Sequence, residues 1–224
     1  MFQPRIFSAV MIAFALMFSS LGMAAEMWEK GRHYKELPFP VKTRDASKVE
    51  VVEMFWYGCP HCYEFNNDHL PQWEAGFADD VDFRLMPATF PGWVTHAEVF
   101  FAAEQLGKLK DMHQALFDAI QASPKKYQDR DDFVEIFAKF GVSEEDYMAL
   151  FEKSGFRKIS KIQEQVDKAG DRVKAYRLTG VPALIVNGKY KIGVRDAGGF
   201  ANMIKVANFL IAKERNEMQG SAAK

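Results

Sequence analysis

The sequence predicts an α/β fold in which a block of helices interrupts a strand-containing domain. Three observations predict it. A β-branched and aromatic run, Lys48 to Gly58, is followed by a helical pattern and then by a second short strand. From Trp93 to Leu178 the apolar spacing is helical throughout. After Thr179-Gly180 the chain returns to strands, with an Asn-Gly pair between two apolar runs. Strands on both sides of a helical block place residues 25–93 and 179–224 in one domain, with residues 94–178 as an all-helical insertion.

The first 24 residues stand outside this fold. Arg5 supplies a positive start, Ile6 to Phe18 is an apolar run, and Gly22-Met23-Ala24 offers a small-x-small cleavage site. Together they predict a cleaved secretory signal over residues 1–24. The run falls short of the about 20 apolar residues that a membrane span needs. The chain as a whole has 29 Lys+Arg against 30 Asp+Glu, so it carries no basic block able to track phosphates, and nucleic-acid binding is not expected. With 26% charged residues and 20 Phe it is globular rather than disordered.

Within the fold, Lys48 to Gly58 reads as a buried central strand. Pro60 suits the first turn of the helix that follows, and Leu70, Trp73 and Phe77 continue at helical spacing. Pro71 should kink that helix, because its ring removes a backbone donor and crowds the preceding turn. Val81 to Met86 is the second strand, parallel to the first through the crossover. The insertion then contributes HAEVFFAAEQLG, LKDMHQALFDAIQ, DDFVEIFAKFG and SEEDYMALFEKSG, the last with Ser143 placed as an N-cap. A final long helix carries the stripe Ile159, Ile162, Val166, Ala169, Val173 and Tyr176. Ala183 to Val186 and Lys189 to Ile192 form a hairpin around Asn187-Gly188. FANMIKVANFLIAKE closes the domain as an amphipathic helix, with NEMQGSAAK expected to fray.

Cys59 and Cys62 are the two cysteines of the chain. In an exported protein paired cysteines usually act as staples. A C-x-x-C ring, however, is too small to restrain much of the unfolded chain, and about 200 residues can bury a core unaided. At the start of a helix directly after a buried strand, both sulfurs fall on the first turn, where the pair can do redox chemistry. Cys59 lies nearest the exposed N-terminus, so free N–H groups and the positive end of the helix dipole favour its thiolate, and His61 adds in the same direction. Cys62 lies deeper. Cys59 is therefore the expected attacked and attacking sulfur, and Cys62 the resolving one. Each tenfold gain in the acidity of Cys59 stabilises the reduced form by about 1.4 kcal/mol, roughly 30 mV for a two-electron couple. An acidic Cys59 therefore makes the disulfide an oxidant. Two other readings compete: a structural C-x-x-C, and half of a zinc site, which would want two further ligands. There is no second Cys pair, and His33, His69, His96 and His113 are scattered and read as surface or cap residues. No metal is expected.

FWYGCPHCYEF and the distant TGVPALIVNG resemble the bacterial periplasmic DsbA family of thiol-disulfide oxidoreductases, and the resemblance covers the whole mature chain. Cys-Pro-His-Cys, with Pro60 and His61 between the cysteines, is characteristic of that group. The resemblance implies a thioredoxin-like fold with an inserted helical domain, a periplasmic location, a monomer and no cofactor. It implies that Val181-Pro182 is a cis-proline element beside the active site, with Val181 presenting backbone groups to an extended substrate. From the residues alone, a trans proline opening a strand is the alternative. It further implies that Glu53 is a buried acid exchanging protons with Cys62 through water, where the residues alone also allow a solvent-facing side chain. Implied partners are reduced or unfolded exported proteins and a DsbB-like quinone-linked inner-membrane oxidoreductase. The stretch LMPATFPGW departs from the polar character of the best-known members, and Arg84 is the candidate cation near Glu53. Phe90, Trp93, Phe100 and Phe101 line either a substrate groove or the core.

The leading functional expectation is an exported dithiol oxidase that donates its Cys59–Cys62 disulfide through a mixed disulfide. A disulfide isomerase or reductase shares the chemistry, but isomerases of this kind carry an added N-terminal dimerisation domain, for which Ala25 to Ser47 leaves no room. A chaperone-like or metal-binding module with incidental cysteines is the third expectation.

Overall fold

The computed structural model describes residues 27–153, 155 and 159–222; the predicted signal segment, residues 1–24, lies outside them. In chain order the elements are β1 (Lys35–Glu36), β2 (Val49–Phe55), α1 (Pro60–Asp68), α2 (Leu70–Glu74) and β3 (Val81–Pro87). The helical block follows as α3 (Val94–Gln105), α4 (Leu109–Ala122), a 3₁₀ turn at Arg130–Phe133, α5 (Val134–Lys139), α6 (Glu144–Ala149) and α7 (Lys161–Ala175). The chain closes with β4 (Ala183–Val186), β5 (Tyr190–Gly193), α8 (Val194–Ala197) and α9 (Phe200–Ala222).

The five strands form one mixed sheet in the order β1-β5-β4-β2-β3. Strand β2 is central, parallel to β3 and antiparallel to β4. All seven of its residues are buried, the acids Glu50 and Glu53 among them. Alternation along β2 sends Val52 and Met54 to one face, where they meet Phe100 of α3, Phe117 of α4 and Val166 of α7. Val49 and Val51 point to the other face and pack with Phe65, Trp73, Met203 and Leu210. Fully burying each such side chain contributes about 1.5–3 kcal/mol relative to exposure, so both faces anchor the strand that leads to the cysteines.

Several details differ from the sequence expectation. The kink at Pro71 is a full break: α1 ends at Asp68, His69 leaves helical geometry (φ −126°, ψ −47°), and Pro71 sits in the first turn of α2. A residue without an N–H fits that turn, whose donors have no intrahelical acceptors. Phe77 lies beyond α2. The helix opened by Ser143, whose hydroxyl accepts the Asp146 N–H at 3.1 Å, stops at Ala149. In the hairpin Val186 pairs with Tyr190, so β5 starts one residue later than expected, although Asn187 (φ 50°) and Gly188 (φ 60°) have the positive φ values of a type I′ turn. Gly188 is needed there for a second reason, since a Cβ would lie 1.9 Å from the Val41 carbonyl oxygen. Finally, the tail from Asn216 is helical as far as it is described rather than frayed as expected: α9 runs on to Ala222, with Met218 packed against the second core, and residues 223–224 lie outside the described residues. Ahead of that tail, the wholly buried Glu214 is held by Lys189 at 2.7 Å.

Candidate active site

Cys59 caps α1. Its backbone is extended (φ −91°, ψ 115°), and its sulfur accepts the Cys62 N–H at 3.4 Å. The Cys59 N–H closes the preceding turn on the Trp56 carbonyl at 2.9 Å. Pro60 occupies the first turn, where no N–H is missed. No acidic side chain lies in that turn to oppose a thiolate. The Cys59 thiol is lowered to about 6, chiefly by its hydrogen bond with the Cys62 side chain, with the Cys62 and His61 N–H groups and the charge of His61 adding to it against the cost of burial. Cys62 is wholly buried and its thiol is pushed well above the usual range, first by burial, then by its hydrogen bond with the Cys59 side chain and by the neighbouring Cys59 and Glu53 charges. The two thiols are unbridged and chemically unequal.

Glu53 is 1% exposed, so it does not face solvent. Burial pushes its carboxyl up to about 8, and the charges of Glu74 and Cys59 act in the same direction. Its Oε2 is enclosed without a hydrogen-bond partner among the described residues. The expected cation is elsewhere. Arg84 donates to Glu50 at 3.2 Å, because Arg84 is registered with Val52 and faces the same side of the sheet as Glu50, whereas Glu53, an odd number of residues along, faces the opposite side.

The Val181–Pro182 peptide is cis. The Val181 carbonyl lies 3.7 Å from the Cys59 sulfur. Val181 and Pro182 join His61, Glu64, Arg195 and Phe200 around an open cavity of about 690 Å³. His61 is largely exposed and 3.5 Å from Glu64. Cys59, Pro60, His61, Cys62, Val181 and Pro182 thus come together at one end of the sheet, with Glu53 beneath them.

Among the aromatics left open by sequence, Phe100 and Phe101 are core. Phe90 and Trp93 are half-buried, and Trp93 stacks on Trp56 with ring centroids 4.3 Å apart and planes 2° from parallel. The Trp56 ring in turn requires Gly58, where a Cβ would lie 2.3 Å from it. Two histidines depart from the surface reading. His96 bonds the Tyr127 carbonyl at 2.9 Å, and His113 bonds the Tyr57 hydroxyl at 2.8 Å; both are buried because each has found a partner for one ring nitrogen. Burial lowers His113 to about 4. Among the described residues no group of three or more His, Cys, Asp or Glu is arranged to hold a metal ion.

The sequence profile of the DSBA-like thioredoxin domain matches residues 69–205, beginning just after the cysteine pair. Matches to whole proteins take in the rest. The thiol:disulfide interchange protein DsbA of Pseudomonas aeruginosa is 38% identical over 209 residues, covering 92% of this chain and 96% of that one. The protein of the same name from Pseudomonas syringae pv. tomato is 38% identical over 94% of this chain and 95% of its own. Among solved structures, Pseudomonas aeruginosa DsbA superposes with a TM-score of 0.77 at 38% identity, covering 89% of this chain and 99% of that one. The oxidoreductase DsbA of Xylella fastidiosa gives 0.73 at 31% identity, over 82% and 96%.

Proposed function

The chain belongs to the DSBA-like thioredoxin-domain family and is a thiol:disulfide oxidoreductase, and we propose that within it the protein is a periplasmic dithiol oxidase, exported by the signal at residues 1–24. One observation carries the direction of transfer: Cys59, at the cap of α1, holds an acidic thiol, while the more deeply buried Cys62 holds one that resists ionisation. An acidic Cys59 favours the dithiol over the disulfide, and it leaves readily.

In the oxidised protein a client thiolate attacks the Cys59 sulfur. The Cys59–Cys62 bond breaks, and Cys62 departs as a thiolate that takes up a proton. Glu53, buried and kept largely protonated up to about pH 8, is the donor for that proton. The client's second thiolate then attacks the client sulfur of the mixed disulfide, and Cys59 leaves as the stable thiolate. Two electrons have passed from the client to the protein. Pro60 shapes the first turn, His61 lowers the Cys59 thiol, and Val181 offers backbone groups to an extended client segment beside Pro182.

The clients are reduced or unfolded exported proteins, and a DsbB-like quinone-linked membrane oxidoreductase accepts the two electrons and restores the disulfide. The protein works as a monomer without a cofactor. Its thioredoxin-like domain comprises residues 25–93 and 179–224, and residues 94–178 form the inserted helical domain. The test is stoichiometric: the oxidised protein should oxidise an unfolded dithiol client one for one, and Cys62→Ser, first loaded at Cys59 with oxidised glutathione, should exchange the glutathione for a single-thiol client and accumulate that mixed disulfide, seen by mass spectrometry. No client oxidation by the oxidised protein, together with no client mixed disulfide at Cys59 of the variant, would overturn the proposal.

A further inference from the structure

Helix α4 belongs to the helical block, yet its side chains, most of them polar, reach the segment that carries the cysteines. They form two rows with a four-residue repeat, so each row lies along one line of the helix. The inner row is His113, Phe117 and Gln121. His113 bonds the Tyr57 hydroxyl at 2.8 Å, the Phe117 ring packs edge-on against Tyr57 at 4.7 Å, and Gln121 donates to the Tyr57 backbone carbonyl at 2.7 Å. The outer row is Gln114 and Asp118, which hold Asn66 and Tyr63 of α1 at 2.7 and 2.8 Å.

Tyr57 is therefore gripped at its hydroxyl, ring and carbonyl by one helix. Strand β2 ends at Phe55, two residues earlier, and Cys59 follows two residues later. Packing alone would be served by apolar residues at 113 and 121, which would bring no polar group to bury. Polar side chains at these positions add direction, because a hydrogen bond fixes where its partner's atom must lie.

We propose that Gln121 and His113 are positioning residues for Cys59: through Tyr57 they hold the turn so that the Cys59 sulfur meets the Cys62 N–H and faces the Val181 carbonyl. The inference rests on the reading of Cys59 as the exchanging sulfur. Through this grip the inserted helices, and not the sheet alone, set the reactivity of the thiol.

The experiment compares the mature protein with its Tyr57→Phe, Gln121→Met and Gln114→Ala variants. Three quantities are read: the Cys59 thiolate titration by ultraviolet absorbance, the redox equilibrium with glutathione, and the melting temperature. One net hydrogen bond corresponds to about two- to tenfold in an equilibrium constant. Tyr57→Phe and Gln121→Met should each weaken Cys59 ionisation by a factor in that range and shift the redox equilibrium toward the disulfide. Gln114→Ala should lower the melting temperature while leaving both of the other readings unchanged. Lower melting temperatures for Tyr57→Phe and Gln121→Met, with titration and redox equilibrium unmoved, would mean that α4 only packs, and would overturn the inference. An ordinary, non-acidic thiol in the unsubstituted protein would instead overturn the reading of Cys59 itself. If Tyr57→Phe does not fold, Gln121→Met carries the test, since that side chain is only half-buried.

Discussion

Varying pH should change the stability of the reduced protein relative to the oxidised one by an amount that the Cys59 thiol sets. In the folded reduced protein this thiol ionises near 6, against 9.0 for an unperturbed one. A depressed acid stabilises the fold fully above the higher value; the contribution shrinks as pH falls through the window from 9 to 6 and is absent below it. Linkage over that window gives about 2.7 kcal/mol at pH 8, about 1.4 kcal/mol at pH 7 and close to zero at pH 5. Glu53 has the opposite sign. The fold keeps it protonated up to about 8, so ionisation in the unfolded chain costs stability progressively from pH 4.5 upward. Because Glu53 is present in both redox forms, most of its effect cancels in the difference between them. Cys62 ionises above the usual range in the fold, so it contributes nothing between pH 5 and 8.

The assay is urea unfolding of both forms at several pH values from 5 to 8. The stability of the reduced form minus that of the oxidised form should rise by about 2.7 kcal/mol across this range, with about half of the rise complete at pH 7. A difference that is flat or falling with pH would refute the acidic Cys59, and with it the argument for an oxidising disulfide.

Glu53→Gln should stabilise the protein by up to about 3 kcal/mol at pH 7, since the fold no longer has to keep an acid protonated, while client oxidation slows for want of a proton donor to Cys62; unfolding and turnover measured together check both. Gly58→Ala should destabilise by about 1–3 kcal/mol through overpacking, because the added Cβ meets the Trp56 ring at 2.3 Å; loss of the Trp56–Trp93 stack should appear in near-ultraviolet circular dichroism. His61→Pro removes both the side chain and the N–H that lower the Cys59 thiol, whereas His61→Ala removes only the first. The redox potential should fall in both variants, further in the proline one.

Much of the architecture could be read from residues because local chemistry and tertiary environment agree. The run Lys48 to Gly58 looks buried on both faces, and its strand, Val49–Phe55, is, although Trp56 to Gly58 turn away beyond it; Ser143 looks like a cap and is; Asn187-Gly188 supplies the two positive φ values of its turn. Features that were not legible depend on distant partners. Strand β1 is two residues long and exists by pairing with β5, which no pattern in Lys35-Glu36 announces. The persistence of α9 comes from where Met218 lands, and the burial of His96 and His113 from acceptors or donors 31 and 56 residues away. Of the site, the helix tip and its inequality of thiols follow from position on the first turn. The stack of Trp56 on Trp93, and hence the need for glycine at 58, joins segments that only the fold brings together.

Glu53 was legible as an acid of β2 but misassigned in partner, and alternation along the strand, which also carries Glu50, explains the error. Glu50 and Glu53 are three apart, so a strand must send them to opposite faces. Arg84, on the neighbouring strand, can serve only one face, and it serves Glu50, which also accepts the Arg44 N–H at 3.1 Å. Glu53 is left with the charges of Glu74 and Cys59, both of which oppose its ionisation. A cation beside a buried acid favours its charged form, whereas Glu53, buried without one and pushed up to about 8, exchanges its proton near neutral pH. Had Arg84 faced Glu53, as expected from sequence, the carboxyl beneath the cysteines would have been locked as an anion and would have held no proton to give Cys62. Parity along one strand thus separates the acid that anchors the sheet from the acid that can serve the thiols.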